Sequence, residues 1–271
     1  MEARRRPSVS GGDTFPADDV LHYDAAEGVV TLTLNRPEKR NALNGALVEA
    51  LHQAFQRIEN DDGARVVALR GAGRDFCSGA DLEELRRISE MSREENLADA
   101  RRLGGLFLRM RRLDRPIVAV VQGRALAGGC GLASACDLVL ARAEAEFGYP
   151  EVNLGFVPAM VMTILRRKMG EGRAFELVTR GERFDAVEAR RLGLVNRVLD
   201  ADGFDDEVTA YLTSLARKPA SAVALTKDLL YELDTLGFDE GMARAAEVNV
   251  EARSTDACRE GVRRFLEKAG G

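Results

Sequence analysis

A chain of 271 residues, 45% of them hydrophobic and 31% charged, can bury a large core and has the make-up of a soluble globular protein. Its net charge of −5 and pI near 5.4 give nucleic acid or an anionic membrane no general electrostatic hold, and no apolar run approaches the ~20 residues of a bilayer span. Four cysteines and two histidines lack zinc-site spacing, so no metal is expected.

The first residues, through Asp13, carry Arg4-Arg5-Arg6 with no apolar stretch behind them, so they do not read as a secretory signal. A polar tail is expected over residues 1–15. Gly28–Leu34 alternates Val, Thr and Leu as a strand does, and stops at Asn35-Arg36-Pro37. Asn41 is then expected to cap a helix over Ala42–Glu59, with Leu43, Leu47, Leu51 and Phe55 on its inner face. Arg65–Arg70 reads as a short buried strand, Glu83–Arg93 as an exposed charged stretch, and Leu103–Leu113 as a helix broken by Arg115-Pro116. Strands follow at Ile117–Val121 and Asp137–Ala141. Beyond Pro158 the pattern is helical except for a strand at Leu194–Val198, and it ends in amphipathic helices over 220–233, 240–251 and 256–268. With no linker inside residues 20–250, these elements predict one α/β core over 16–200 and a helical region over 201–271.

Two glycine-bearing segments stand out: Phe76-Cys77-Ser78-Gly79-Ala80-Asp81-Leu82 and Ala127-Gly128-Gly129-Cys130-Gly131-Leu132. Each follows a buried strand and opens a helix, so each leaves backbone N–H groups unpaired at the same edge of the layer. Two such donors aimed at one point make an oxyanion hole. Neither segment is a dinucleotide fingerprint or a phosphate-binding loop. The thiols of Cys77, Cys130 and Cys136 sit among small and apolar residues, read as core, and fit a reducing, cytoplasmic compartment.

A third element is Phe147-Gly148-Tyr149-Pro150-Glu151-Val152-Asn153-Leu154-Gly155-Phe156-Val157-Pro158. A carboxylate at Glu151, set among Phe147, Val152, Leu154, Phe156 and Met160, is expected to be desolvated, with its pKa raised as a proton shuttle requires. Together with Leu34-Asn35-Arg36-Pro37-Glu38-Lys39-Arg40-Asn41-Ala42-Leu43, these motifs resemble the crotonase (enoyl-CoA hydratase/isomerase) family from about Asp19 to Lys268.

The resemblance implies a crotonase-like spiral of ββα units with a C-terminal helical subdomain. It implies a thioester oxygen held by the N–H groups of Ala80 and Gly128, with Glu151 as the catalytic carboxylate. It places Lys39, Arg40, Ala42, Ser78, Ala80, Asp81, Leu82 and Gly128 along the CoA path, and lets Phe265 and Lys268 of the last helix reach CoA, often from a neighbouring subunit. The expected partner is an acyl-CoA substrate, with no separate cofactor, in a homotrimer or dimer of trimers. Hydratases of the two-glutamate kind carry their first glutamate where this chain has Gly131, which leaves Glu151 alone. The reaction is then hydration of a 2-enoyl-CoA or Δ3-to-Δ2 isomerisation with Glu151 as sole base. A serine hydrolase is excluded by the two histidines and the missing Gly-x-Ser-x-Gly. A non-catalytic CoA-ester binder is the alternative of another class.

Overall fold

The computed structural model describes residues 19–269, so the tail expected over 1–15 lies outside the described residues. A hairpin opens the fold: β1 (Leu21–Ala26) pairs antiparallel with β2 (Val29–Leu34). From there the chain winds as a spiral. Each turn lays a strand in a large sheet, passes through a short extended segment in a second layer, and leaves on a helix.

In the first turn β2 is followed by the extended residue Leu43 and α1 (Gly45–Glu59). In the second, β3 (Val66–Gly71) leads through Cys77–Ala80 to α2 (Leu82–Glu90) and α3 (Arg93–Arg112). The third runs β4 (Ile117–Val121), β5 (Ala125–Leu126), α4 (Gly128–Ala135). The fourth runs β6 (Leu138–Arg142), β7 (Glu146–Gly148), a 3₁₀ turn (Pro150–Leu154) and α5 (Ala159–Met169). Then α6 (Glu171–Arg180), β8 (Arg183–Asp185), α7 (Ala186–Arg191) and β9 (Arg197–Leu199) complete the sheets. The large sheet has the order β1-β2-β3-β4-β6-β9 and is parallel after its first pair; the small one is β5-β7-β8. Parallel bridges from Cys77 to Ala125 and from Leu43 to Ala80 extend the small layer backwards through the earlier turns. Successive turns therefore deliver their helix starts side by side.

The strands β3 and β4 are continuous apolar runs because both faces are covered. Val67, Leu69, Ile117, Ala119 and Val121 join the main core with Leu47, Leu51 and Phe55 of α1 and with Leu106 and Met110 of α3. Val66, Ala68, Val118 and Val120 face the other way, against Phe204, Val208 and Leu212 of α8 (Phe204–Ala216). The chain ends in α9 (Ala220–Glu232), α10 (Phe238–Ser254) and α11 (Asp256–Ala269). A polar anchor ties α9 down: buried Lys227 donates to Asp137 Oδ2 (2.7 Å) and to the carbonyls of Met110 and Arg115, and Tyr231 donates to Asp137 Oδ1 (2.6 Å).

The helix expected from Ala42 starts three residues later, and Asn44, not Asn41, caps it by accepting from Leu47 N. Ala42-Leu43 cannot be helical because Leu43 pairs with Ala80. Asn41 is instead fully buried at φ 54°, accepting from Arg36 N and donating to the carbonyls of Ala72 and Asp75. The charged stretch over 83–93 is helical as α2, and the helix expected at Leu103 already begins at Arg93, behind a Ser92–Glu95 capping box. The strand expected over Leu194–Val198 is shifted to Arg197–Leu199, since the Asn196 side chain takes the Val139 N–H that a strand residue would otherwise meet.

Candidate active site

The two glycine segments abut. Gly79 has φ +98°, and a Cβ there would lie 2.8 Å from Ala127 Cβ and 3.6 Å from Gly128 N. A Cβ at Gly129 would collide with the Cys77 carbonyl, so α4 begins directly on the backbone of the first segment. Hydrogen bonds fix which way the amides point. Leu43 N donates to Gly79 O (2.7 Å) and Asp81 N donates to Leu43 O (3.1 Å). Across the trans peptide between residues 79 and 80, the Ala80 N–H must then point away from Leu43.

In the second segment Ala127 holds an unusual φ 48°, ψ −127°, its N–H tied to Gly148 O (2.8 Å) and its carbonyl taking the Gly131 N–H (2.9 Å). Gly128 is the first residue of α4, so its amide is one of the helix's orphan donors, on the positive end of the helix dipole. Among the described residues neither the Ala80 nor the Gly128 N–H donates to another backbone group. Ala127, a non-glycine residue at positive φ, is backbone strain held at the junction of the two segments.

Glu151 is the second residue of the 3₁₀ turn that follows β7, one spiral turn beyond Gly128. It is half-buried, and burial raises its pKa above the ordinary glutamate value. Its Oε2 is buried with no hydrogen-bond partner among the described residues. Of the neighbours expected in sequence, Val152, Leu154 and Phe156 are themselves exposed, Phe147 belongs to the core and Met160 is partly buried against it. Behind the turn lie Cys130 and Tyr149, both buried and close enough for the Glu151 charge to raise their pKa values further. Tyr149 OH and Ser134 Oγ share a 2.6 Å hydrogen bond, and Ser134 donates to Cys130 O.

A family model described as enoyl-CoA hydratase/isomerase matches residues 24–270. The chain belongs to the enoyl-CoA hydratase/isomerase family. A putative enoyl-CoA hydratase from Thermus thermophilus is 42% identical over 89% of this chain and 95% of its own length. A 2,3-dehydroadipyl-CoA hydratase from Escherichia coli is 34% identical, with 89% and 92% covered. Among solved structures, an enoyl-CoA hydratase from Mycobacterium smegmatis superposes with a TM-score of 0.88 at 38% identity, covering 92% of this chain and 96% of that one.

Within this enoyl-CoA hydratase/isomerase family member, Gly131 is closely packed. A Cβ at Gly131 would lie 2.6 Å from Val161 Cγ2, with Phe107 Cζ behind at 3.8 Å. Val161 is buried on α5. The three core thiols are pushed up to about 12 by burial and stay protonated.

The other residues that family resemblance singles out are spread over three places. Lys39 and Arg40 are exposed in the turn before Leu43, and Lys39 pairs with Glu83 across 3.3 Å. Ala42 is buried beside them; Ser78 is half-buried, and its N–H donates to Arg40 O. Leu82 opens α2, its side chain outside the described set. Asp81 is turned inward: its carboxylate takes a 2.7 Å ion pair from Arg36 and caps α2 through Glu83 N, and the Arg36 hydrogen bond holds its pKa below the usual range. Phe265 and Lys268 lie on α11, which packs on α9 and α10 and buries none of its residues. Sequence reasoning missed the pairing of Arg36 with Asp81 and the contact of Val161 with Gly131; neither carries a local signal, because each spans 30 or more positions.

Proposed function

We propose that this protein is an enoyl-CoA hydratase in which the N–H groups of Ala80 and Gly128 hold the thioester oxygen and Glu151 moves the proton. The observation that carries the reading is the pair of free amides on abutting segments, one spiral turn before a half-buried carboxylate with an unpartnered oxygen. Water attack at Cβ of a 2-enoyl thioester pushes electrons onto the carbonyl oxygen, and each fixed donor stabilises that charge by about 3 kcal/mol. Glu151, as the carboxylate, accepts a proton from the attacking water and, once protonated, returns a proton to Cα. The scheme needs no metal and no separate cofactor.

Lys39 and Arg40 supply the exposed cations suited to CoA phosphates, with Ala42, Ser78 and Leu82 beside the path. Val262, Phe265 and Leu266 expose an apolar face on α11 that supports assembly of copies into a trimer or dimer of trimers, where Phe265 and Lys268 reach a neighbour's CoA. A cytoplasmic setting fits the unpaired thiols, and no helix of the described residues is long and apolar enough to cross a membrane. A second reading has its own support: Gly131 closed off by Val161 leaves one base, which suits transfer of a proton between two carbons and thus Δ3-to-Δ2 isomerisation. Crotonyl-CoA and a 3-enoyl-CoA separate the two. The hydratase bleaches the conjugated enoyl absorbance of the first. Conversion of the second to a conjugated product, without bleaching of the first, would make the isomerase the correct reading.

A further inference from the structure

Asp81 stands next to a proposed oxyanion donor, yet its carboxylate faces the interior. It is 4% exposed, and Arg36, its partner, is 12% exposed. The same guanidinium reaches both strands of the Leu43–Ala80 bridge. One nitrogen donates to Ala42 O at 2.5 Å, just before Leu43; the other donates to Asp81 Oδ2 at 2.7 Å, just after Ala80. The other Asp81 oxygen takes the Glu83 N–H at 3.1 Å and fixes the start of α2. Arg36 is itself held, since its backbone N–H donates to the buried Asn41 side chain at 2.9 Å.

We propose that Arg36 and Asp81 are positioning residues that aim the Ala80 N–H, and that Asp81 influences the reaction through that amide and not by touching CoA. The bonds Leu43 N to Gly79 O and Asp81 N to Leu43 O decide where the Ala80 amide points, and the guanidinium locks residues 42 and 81 on either side of them. A buried ion pair adds little net stability over well-packed apolar groups, so its use is geometric. The planar fork of arginine grips a carbonyl and a carboxylate together; a lysine ammonium, a point charge on a flexible stem, does not hold that geometry. The clamp rests on the hydratase reading above.

The test uses Arg36→Lys and Asp81→Asn, the latter keeping a cap acceptor while losing the charge. Each is assayed for hydration of crotonyl-CoA, and each is also placed in a Glu151→Gln background, where bound crotonyl-CoA reports carbonyl polarisation as a red shift of its enoyl absorbance. The clamp predicts kcat lowered roughly 10- to 100-fold, short of outright loss of a donor, with KM within about twofold and the red shift diminished. Should Arg36→Lys fail to fold, Asp81→Asn and the charge-free pair Arg36→Gln/Asp81→Asn give the same readout. Unchanged kcat and red shift in the folded variants, or a raised KM at unchanged kcat on Asp81→Asn, overturns the clamp while wild-type hydration still stands. Wild-type protein that binds crotonyl-CoA without hydrating it overturns the functional reading, and the clamp with it.

Discussion

Ala80 and Gly128 sit on backbone that neighbouring elements grip from several sides, whereas Glu151 rides on a 3₁₀ turn whose next apolar residues face outward. Around the two amides, Leu43, Gly148 and the Arg36 guanidinium are all engaged, and two glycines remain because side chains there would strike backbone or a neighbouring Cβ. Around Glu151, Cys130 and Tyr149 are near enough to feel its charge, the turn is tied to the segment just before β8 through Asn153 and Gly181, and one carboxylate oxygen has no partner among the described residues. The difference matches the two tasks proposed for these residues. A donor that stabilises developing charge works by being fixed beforehand, so rigidity serves it. A group that takes and returns a proton needs a free oxygen and a pKa shifted toward the working pH, so incomplete satisfaction serves it.

Two expected effects are the largest, and the first breaks the rigid half. Gly79→Ala places a methyl at φ +98° and 2.8 Å from Ala127 Cβ, forcing the two segments apart. We expect kcat to fall by about 10²–10³, the effect of losing an oxyanion donor. A melting curve separates that loss from unfolding. Close to it in size, Glu151→Gln lowers hydration by about 10²–10⁴ while leaving CoA-ester binding, read as thermal stabilisation, in place.

A smaller effect tests the closed position at 131. Gly131→Glu should lower stability by about 1–3 kcal/mol, because its Cβ falls on Val161 Cγ2. Adding Val161→Ala should restore most of it in chemical denaturation. If the single variant is as stable as wild type, Val161 does not close the site.

The smallest effect is thermodynamic. Burial raises the Glu151 pKa in the folded protein, so the native state binds its proton more tightly than the unfolded chain does. Its contribution to stability is therefore present below the unfolded pKa and is lost as pH rises through the folded one. Glu151→Gln should raise the Tm at neutral pH, and the gain should vanish as the pH is brought below the ordinary glutamate range. The acid limb of wild-type activity should likewise lie above that range, since the reaction begins from the carboxylate. A Tm difference that grows on acidification contradicts the burial argument.

The repeated strand-to-helix rhythm was legible because β3 and β4 are covered on both faces and so read as unbroken apolar runs. Both glycine segments were legible for the same reason that they are rigid: close backbone approach demands glycine. Asn41 was misread because its local signal, a polar residue before an apolar helical period, is shared by Asn44 three residues on. Only the long-range pairing of Leu43 with Ala80 decides between them. Ser92-x-x-Glu95 was a readable capping box, and it marks where α3 begins. The short strands β7 and β8, three residues each, carry too little period to be seen. Glu151 stood out in sequence and its raised pKa agrees with the expectation there, but the nearness of its charge to Cys130 and Tyr149 was not legible, since it arises through packing.

The central claim, a preformed hole that works alongside a separable proton shuttle, is tested most directly by following the enoyl absorbance of crotonyl-CoA with wild type and Glu151→Gln side by side. The account predicts bleaching by wild type. It predicts a persistent, red-shifted absorbance with Glu151→Gln, showing a polarised thioester that waits for its proton. Bleaching by the variant at the wild-type rate, or bound crotonyl-CoA with no red shift, would contradict it.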